Sequence, residues 1–254
     1  MSSFARYPSL ADRTVLVTGG ASGIGATLVQ EFAEQGAKVG FIDIAREPGQ
    51  ALARSLAGCR HAPMFVEADI TDIAALERAI DAVRERFGPI AVLLNNAAND
   101  QRHKIEDTTP EYWDHAVAVN LKHQFFAARK VVADMQQAGG GSIVNFGSIS
   151  WKAKHGGMPA YTASKAAVQG LTRCMARDFG PFNIRVNTLV PGWVMTERQL
   201  RLWVTEEGKA EIARSQCLRQ PLMPQHIAHM ALFLAADDSA MCTAQDFVVD
   251  AGWT

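Results

Sequence analysis

Short apolar, β-branched runs alternate with longer helical stripes along the whole chain, and this alternation most narrows what it can fold into. The runs cover residues 14–18, 38–43, 62–67, 90–95, 142–146, 184–189 and 246–249. Near-continuous apolar runs of this length fit strands covered on both faces, as in a parallel sheet. Between them, Ile73, Leu76, Ile80, Val83 and Phe87 recur at helical steps, as do Ile24, Leu28 and Phe32, and Val168, Leu171, Met175 and Phe179. Gly36, Gly88 and Gly180 stand where these stripes end, as helix C-terminal glycines should. Thr109-Pro110 and Met223-Pro224 place proline at first-turn positions. The pattern predicts an α/β fold: three layers, with a parallel sheet of about seven strands and helices on both faces. One domain over residues 1–254 is expected. A helical insertion near 193–215 breaks the rhythm over the C-terminal edge of the sheet, where such folds bind ligands.

Composition excludes several classes of partner. Lys+Arg is 25 and Asp+Glu is 26, a net charge of −1, so there is no basic footprint for nucleic acid or an anionic membrane. The five tryptophans have no basic stripe around them that would suit stacking on bases. No apolar run approaches the roughly 18 residues of a membrane span. The stretch from Met1 to Arg13 has no apolar core of a secretory leader. Cys59, Cys174, Cys217 and Cys242 lie far apart with no CxxC pair, so free thiols and a cytoplasmic location are expected. His226 and His229 share a helix face but have no evident third ligand, so they read as surface histidines and no metal site is expected.

After the first apolar run comes Thr18-Gly19-Gly20-Ala21-Ser22-Gly23-Ile24-Gly25. A glycine turn between a strand and a helix lets backbone approach a pyrophosphate, and the helix N-terminus offers free N–H groups to the anion. Asp43 closes the second run. An acid there accepts hydrogen bonds from ribose hydroxyls and repels a 2′-phosphate, which favours NAD over NADP. Arg46 lies near enough to offer a competing phosphate contact, so NADP use stays open.

Tyr161 and Lys165 share a helix face. A tyrosine is a poor base at neutral pH, and a neighbouring ammonium is expected to lower its pKa. Tyr161 would then take a proton from a substrate hydroxyl as hydride leaves, with Ser148 bonded to the same oxygen.

Taken together, Thr18-Gly19-x-x-x-Gly23-x-Gly25, Asp69, Asn95-Asn96-Ala97, Asn120, Ser148, Tyr161-x-x-x-Lys165, and Pro191-Gly192 followed by Thr196 resemble the short-chain dehydrogenase/reductase family over nearly the whole chain. The resemblance implies a Rossmann-like fold and a catalytic set of Ser148, Tyr161, Lys165 and Asn120, with Asn120 ordering a water in a proton relay through Lys165. It implies that Asp69 holds the adenine edge and Asn96 lies beside the adenosine ribose. Lys165 would bind the nicotinamide ribose, and Thr196 the carboxamide or diphosphate. Gly19, Ser22, Gly23, Ile24, Gly25, Asp43, Ile44, Ile70, Ala97, Tyr161, Pro191, Gly192 and Val194 complete the expected cofactor contacts. Ala98 departs from the family's usual glycine, which is expected to tighten the cofactor groove slightly.

The loops after the strands are polar: Asn99-Asp100-Gln101-Arg102-His103, then Ser148-Ile149-Ser150-Trp151-Lys152-Ala153-Lys154-His155, then Trp193 to Gln199. Apolar walls would suit a lipid or steroid, whereas these donors and acceptors suit a polyol. Asn99, Asp100, Ser148, Ser150, Tyr161 and Gln199 are the expected substrate contacts, with Trp151 or Trp193 against the sugar face. Asn99–Lys104, Asn145–Trp151 and the ending Asp250-Ala251-Gly252-Trp253 resemble bacterial aldose 1-dehydrogenases acting on D-xylose or L-arabinose. The expected function is therefore oxidation of an aldose at C1 to an aldonolactone, using NAD with NADP possible. The alternatives are a carbonyl or 3-oxoacyl reductase, another secondary-alcohol dehydrogenase, or a catalytically idle NAD-binding protein. The resemblance further implies a homotetramer. The last helix and the 246–249 strand would lie at one interface, and the tail around Trp253 would pack there, toward a neighbour's active-site loop.

Overall fold

The computed structural model describes residues 4–254; of the stretch from Met1 to Arg13 read for a leader, residues 1–3 lie outside it. Its strands are β1 (Thr14–Thr18), β2 (Lys38–Asp43), β3 (Met64–Glu67), β4 (Val92–Asn95), β5 (Gly141–Phe146), β6 (Ile184–Pro191) and β7 (Asp246–Val249). Its α-helices are α1 (Gly23–Glu34), α2 (Arg46–Ser55), α3 (Ile73–Phe87), α4 (Pro110–Val117), α5 (His123–Gln137), α6 (Pro159–Phe179), α7 (Glu197–Leu202), α8 (Glu206–Ser215) and α9 (Pro224–Ala235). The seven strands form one parallel sheet in the order β3-β2-β1-β4-β5-β6-β7.

Alternating side chains of the central strands feed two cores. Val15, Val17, Val92 and Leu94 pack with Leu28 and Phe32 of α1 and Ile227, Ala231 and Leu234 of α9. Leu16 and Leu93 point the other way, to Leu76, Ile80 and Val83 of α3 and Val131 and Met135 of α5. That two-sided burial is why the runs read as continuously apolar. The order reverses beside β1, so the mouth of the sheet opens between the ends of β1 and β4.

Several local expectations are corrected. The third and fourth runs pair over fewer residues than their apolar length. Pro63 has no N–H to give a ladder, and the Ile90 N–H is taken by the Asp134 carboxylate at 3.1 Å. Gly36 and Gly88 have positive φ, at 82° and 89°, but Gly180 does not. Pro181 carries the chain on through a right-handed turn, and Asn183 takes the left-handed position at φ 58°. Asn120 lies in a helical run that continues from α4 into α5, at a π-helical turn, Ala118–Lys122, between them. The stretch 193–215 carries α7 and α8. Among the described residues no helix is long and apolar enough to cross a membrane, and the four cysteines are free thiols.

Candidate active site

β1 ends at Thr18, and the chain turns through Gly19–Ser22 into α1. Gly19 has φ +67°, and a Cβ there would fall 2.7 Å from the Ala97 Cα. A Cβ on Gly25 would fall 1.8 Å from the Gly19 carbonyl oxygen. Asn96 Nδ2 donates to the carbonyls of Thr18 (3.1 Å) and Gly19 (2.9 Å), and Ala97 N–H donates to the Thr18 hydroxyl at 3.1 Å. The turn is thus held from the end of β4. Ser22, the residue before α1, makes no side-chain cap, so the first-turn N–H groups of a twelve-residue helix are left for another acceptor. A tight backbone cradle beside an uncapped helix start fits the pyrophosphate of a dinucleotide.

At the end of β2, Asp43 accepts from Ala21 N–H and Ala45 N–H, each at 2.9 Å. Its carboxylate is therefore aimed back at the glycine turn. Ile44 beside it is 69% exposed, an apolar side chain left open on this face. Arg46 is paired with Glu67. Asp69 is exposed after β3, its carboxylate accepting from Thr71 N–H (2.8 Å) and Oγ1 (2.7 Å). Ile70 packs on the core.

The other end of this face is a cleft of about 630 Å³ lined by Ile24, Asn96, Ala98, Ser148, Tyr161, Lys165, Pro191, Gly192, Val194 and Thr196 among others. Tyr161 and Lys165 stand one turn apart on α6. Lys165 is 1% exposed; its Nζ donates to the Phe146 carbonyl at 2.7 Å and lies 5.8 Å from the Tyr161 ring centroid. Burial pushes Lys165 down to about 7, opposed by the Asp100 carboxylate. Burial pushes Tyr161 up to about 12, against the lowering effect of its hydrogen bond with Ser148. The expectation that the Lys165 ammonium lowers the Tyr161 pKa is therefore not met in this structure. Desolvation outweighs the hydrogen bond and disfavours the charge on Lys165 itself.

The Asn120 side chain is also differently employed. It is fully buried; Oδ1 accepts from Asn99 N–H at 2.8 Å, and Nδ2 donates to the Asn99 (3.1 Å) and Ala116 (2.9 Å) carbonyls. It clamps the loop after β4. Its neighbour His123 went unnoticed in the sequence. Its ring is wholly buried, and burial with the nearby Lys165 charge pushes it down to about 3, against the raising effect of a hydrogen bond with the Val119 backbone. It belongs to an ordinary helical stripe and carries no local signal.

Side chains from two loops meet across the cleft. Trp193 Nε1 donates to Gln199 Oε1 at 3.0 Å, and Gln199 Nε2 donates to Asp100 Oδ2 at 2.6 Å. Arg198 Nε donates to Asp100 Oδ1 at 3.4 Å. Ser150 is 2% exposed with its hydroxyl unpartnered on the cleft wall. Thr196 caps α7, accepting from Gln199 N–H at 3.2 Å. Two expected contacts are not brought in. Asn99 bonds Gln101 N–H and Arg198 and does not line the cleft. Trp151 faces solvent beneath the Lys152 ammonium. The 3₁₀ turn Ile149–Trp151, capped by Ser148, buries Ile149 and Ser150 and sends the third residue outward. Arg102, His155, Met158, Trp203 and Glu211 line the cleft outside the expected set. Arg102 and His155 lie in loops already noted as polar; Trp203 and Glu211 arrive with α7 and α8, where only the broken rhythm pointed to a site.

The tail packs on its own chain rather than pointing away from it. Trp253 lies beside His155 and Trp193, with ring centroids at 5.6 and 6.3 Å. His226 Nδ1 accepts from Met223 N–H at 3.0 Å, and His229 lies against the Phe4 ring.

A family model described as enoyl-(acyl carrier protein) reductase matches residues 19–254. The chain is 47% identical over 249 residues to a probable galactose dehydrogenase of Rhizobium meliloti (strain 1021), covering 98% of this chain and 97% of the relative. It is 45% identical over 251 residues to a D-xylose 1-dehydrogenase of Caulobacter vibrioides (strain NA1000 / CB15N), covering 99% of each. Among solved structures it is similar to a short-chain type dehydrogenase/reductase from Mycobacterium ulcerans, with a TM-score of 0.92 at 28% identity, covering 96% of this chain and 90% of that one.

Proposed function

The chain belongs to the short-chain dehydrogenase/reductase family, and from that premise we propose that it oxidises the anomeric C1 hydroxyl of an aldose to an aldonolactone. An aldopentose such as L-arabinose or D-xylose leads, with NAD as the hydride acceptor. Membership makes the chain an oxidoreductase of CH–OH groups. The observation that carries the sugar reading is the cleft. It joins Ser148 and Tyr161 to a wall of polar side chains, Asp100, Ser150 and Gln199, rather than to an apolar tunnel. The full-length likeness to two sugar dehydrogenases supports it.

In the cyclic sugar C1 is chemically a secondary alcohol, and the ring oxygen stabilises positive charge as hydride departs. Ser148 and Tyr161 hold the C1 oxygen. Its proton passes to the Tyr161 phenolate, while the C1–H bond breaks with its electron pair and C=O forms. The nicotinamide ring, when bound, supplies the hydride acceptor and a positive charge beside the site. That charge would favour the Tyr161 phenolate, which burial disfavours. Lys165 would bind the nicotinamide ribose from its seat on the Phe146 carbonyl, and Asn120 fixes the loop that carries Asp100. Ser150 and Gln199 read the remaining hydroxyls, with Trp193 against the sugar.

Asp43 favours NAD: its carboxylate already faces the turn and would repel a 2′-phosphate, while Arg46, the nearest cation offered for one, is paired through Nε with Glu67. Gly19, Gly23 and Gly25 would admit the pyrophosphate at α1, Ile44, Asp69 and Ile70 would flank the adenine, and Thr196 and Val194 would meet the nicotinamide side. The chain is one catalytic domain, with α7 and α8 as the substrate-side insertion. The free thiols fit a cytoplasmic enzyme. The edge strand β7 and the exposed Phe125 beside an apolar groove on α5 and α6 support a homotetramer.

The test is a panel of aldoses, deoxy-pentoses, isopropanol and a 3-oxoacyl ester, followed at 340 nm with each cofactor. Aldopentoses with NAD should be fastest, and deoxy-pentoses poor, because a site built to bond a hydroxyl leaves its own groups unpaired when the hydroxyl is missing. If isopropanol or the ester outruns every aldose, the sugar reading fails. A wide preference for NADP overturns the role of Asp43.

A further inference from the structure

Trp253 has no place in the reaction described above, yet its ring is seated with care. It meets the His155 ring edge-on, at 5.6 Å and 84°, and the Trp193 ring tilted, at 6.3 Å and 47°. Both partners line the cleft, one from the connection between β5 and α6 and the other from the connection between β6 and α7. Residues 250–254 are pinned for this purpose. Asp250 is 5% exposed and accepts from Gly252 N–H (2.8 Å), Thr254 N–H (2.8 Å) and Thr254 Oγ1 (3.0 Å). The Ala251 carbonyl accepts from Cys217 N–H at 2.9 Å and Leu218 N–H at 3.1 Å. The segment is therefore stitched to the loop that follows α8.

The Trp193 ring that Trp253 touches is confined elsewhere too. Its Cη2 lies close over Gly208 of α8, 3.2 Å from where a Cβ would stand. Its indole N–H holds Gln199, and Gln199 holds Asp100. A shift of Trp193 is passed directly to two side chains that face the substrate. Trp253 is the aromatic stop at the free end of this relay, and through His155 it also steadies the opposite loop.

We propose that Trp253 is a positioning residue for substrate recognition: by fixing Trp193 and His155 it sets the shape of the cleft wall that meets the sugar carbons beyond C1, and so the discrimination between an aldopentose and the aldohexose with one more CH₂OH. This rests on the aldose reading. Lost ring contacts of this kind change affinity by about threefold to tenfold.

The experiment compares Trp253→Ala and Trp253→Phe with the wild type for the preferred aldopentose, its matching aldohexose and NAD. In Trp253→Ala the KM for the aldopentose should rise about threefold to tenfold, the pentose-to-hexose ratio of kcat/KM should fall toward one, and kcat and the KM for NAD should stay within about twofold. Trp253→Phe should restore most of both sugar readouts. An unchanged aldopentose KM and unchanged selectivity in Trp253→Ala overturn the proposal. Should that variant lose NAD binding and hence its fold, Trp253→Leu replaces it, and wild-type sugar kinetics there overturn the proposal equally. A wild-type enzyme inactive on every aldose is a separate result: it removes the sugar reading before any variant is made, and this proposal with it.

Discussion

The two ends of the cleft are built from different materials. At the glycine turn, backbone packs on backbone: the carbonyls of Thr18 and Gly19 are held by Asn96, and there is no room for a Cβ on Gly19 or Gly25. At the sugar end, side chain grips side chain through Trp193, Gln199, Asp100 and Arg198, on loops and the short helix α7. A backbone cradle accepts almost no substitution and suits a ligand that does not vary. A relay of side chains can be retuned one residue at a time and suits a ligand that does. The contrast teaches where specificity can change without loss of the chemistry.

Tyr161 stands where the two ends meet, and it offers the hardest test of that division. Tyr161→Phe should lower turnover by about 10² to 10⁴ while NAD binding, followed by fluorescence titration, survives; near-normal kcat in the folded variant breaks the mechanism. On the cradle side, Gly25→Ala forces backbone to move, and its NAD affinity should fall at least about tenfold. Calorimetric binding as tight as wild type would mean that the turn yields far more easily than its packing implies.

Beneath both ends lies Lys165, whose usual 10.5 is depressed to about 7 by burial. Between those values the unfolded chain carries a proton that the folded chain lacks. Stability of the cofactor-free protein should therefore rise with pH through this window and be lost as pH falls toward 7. Thermal melts of Lys165→Met should show a flatter dependence there; an identical slope would mean that Lys165 is not the titrating group. On the relay side, Gln199→Leu strands the polar atoms of Trp193 and Asp100, and sugar KM should rise about threefold to tenfold with NAD affinity intact. A matching loss of NAD affinity would erase the distinction between the ends. The smallest effect belongs to Trp151→Ala. The ring faces solvent, so sugar KM should stay within about twofold of wild type, and a large rise would return Trp151 to the sugar face.

The fold was legible because burial on two faces leaves a continuous apolar run and a packed helix leaves a stripe. The glycine turn was legible because steric exclusion at Gly25 has only one residue type that satisfies it. Legibility ends where direction is set by tertiary structure. Nothing local distinguishes Ser150, which is buried, from Trp151 next to it, which is not; the 3₁₀ turn decides. Trp203 and Glu211 reach the cleft only because α7 and α8 fold over it. The Tyr161–Lys165 spacing announces a pair, but the depth of burial that raises the Tyr161 pKa against expectation, and lowers that of Lys165, is a property of the assembled layers. The extra residue in the π turn at Ala118–Lys122 is likewise invisible to a helical period.

The bonds from Asn96 to the carbonyls of Thr18 and Gly19 span 78 and 77 residues of chain. The first strand, turn and helix are local and can form early, but the roof over the turn arrives only when β4 docks beside β1. Pairings between such distant segments pay their loop-closure entropy before any contact repays it, and they come late in folding. Recovery of dinucleotide binding during refolding therefore times the meeting of the sheet's two halves, not the appearance of the motif that announces it in the sequence.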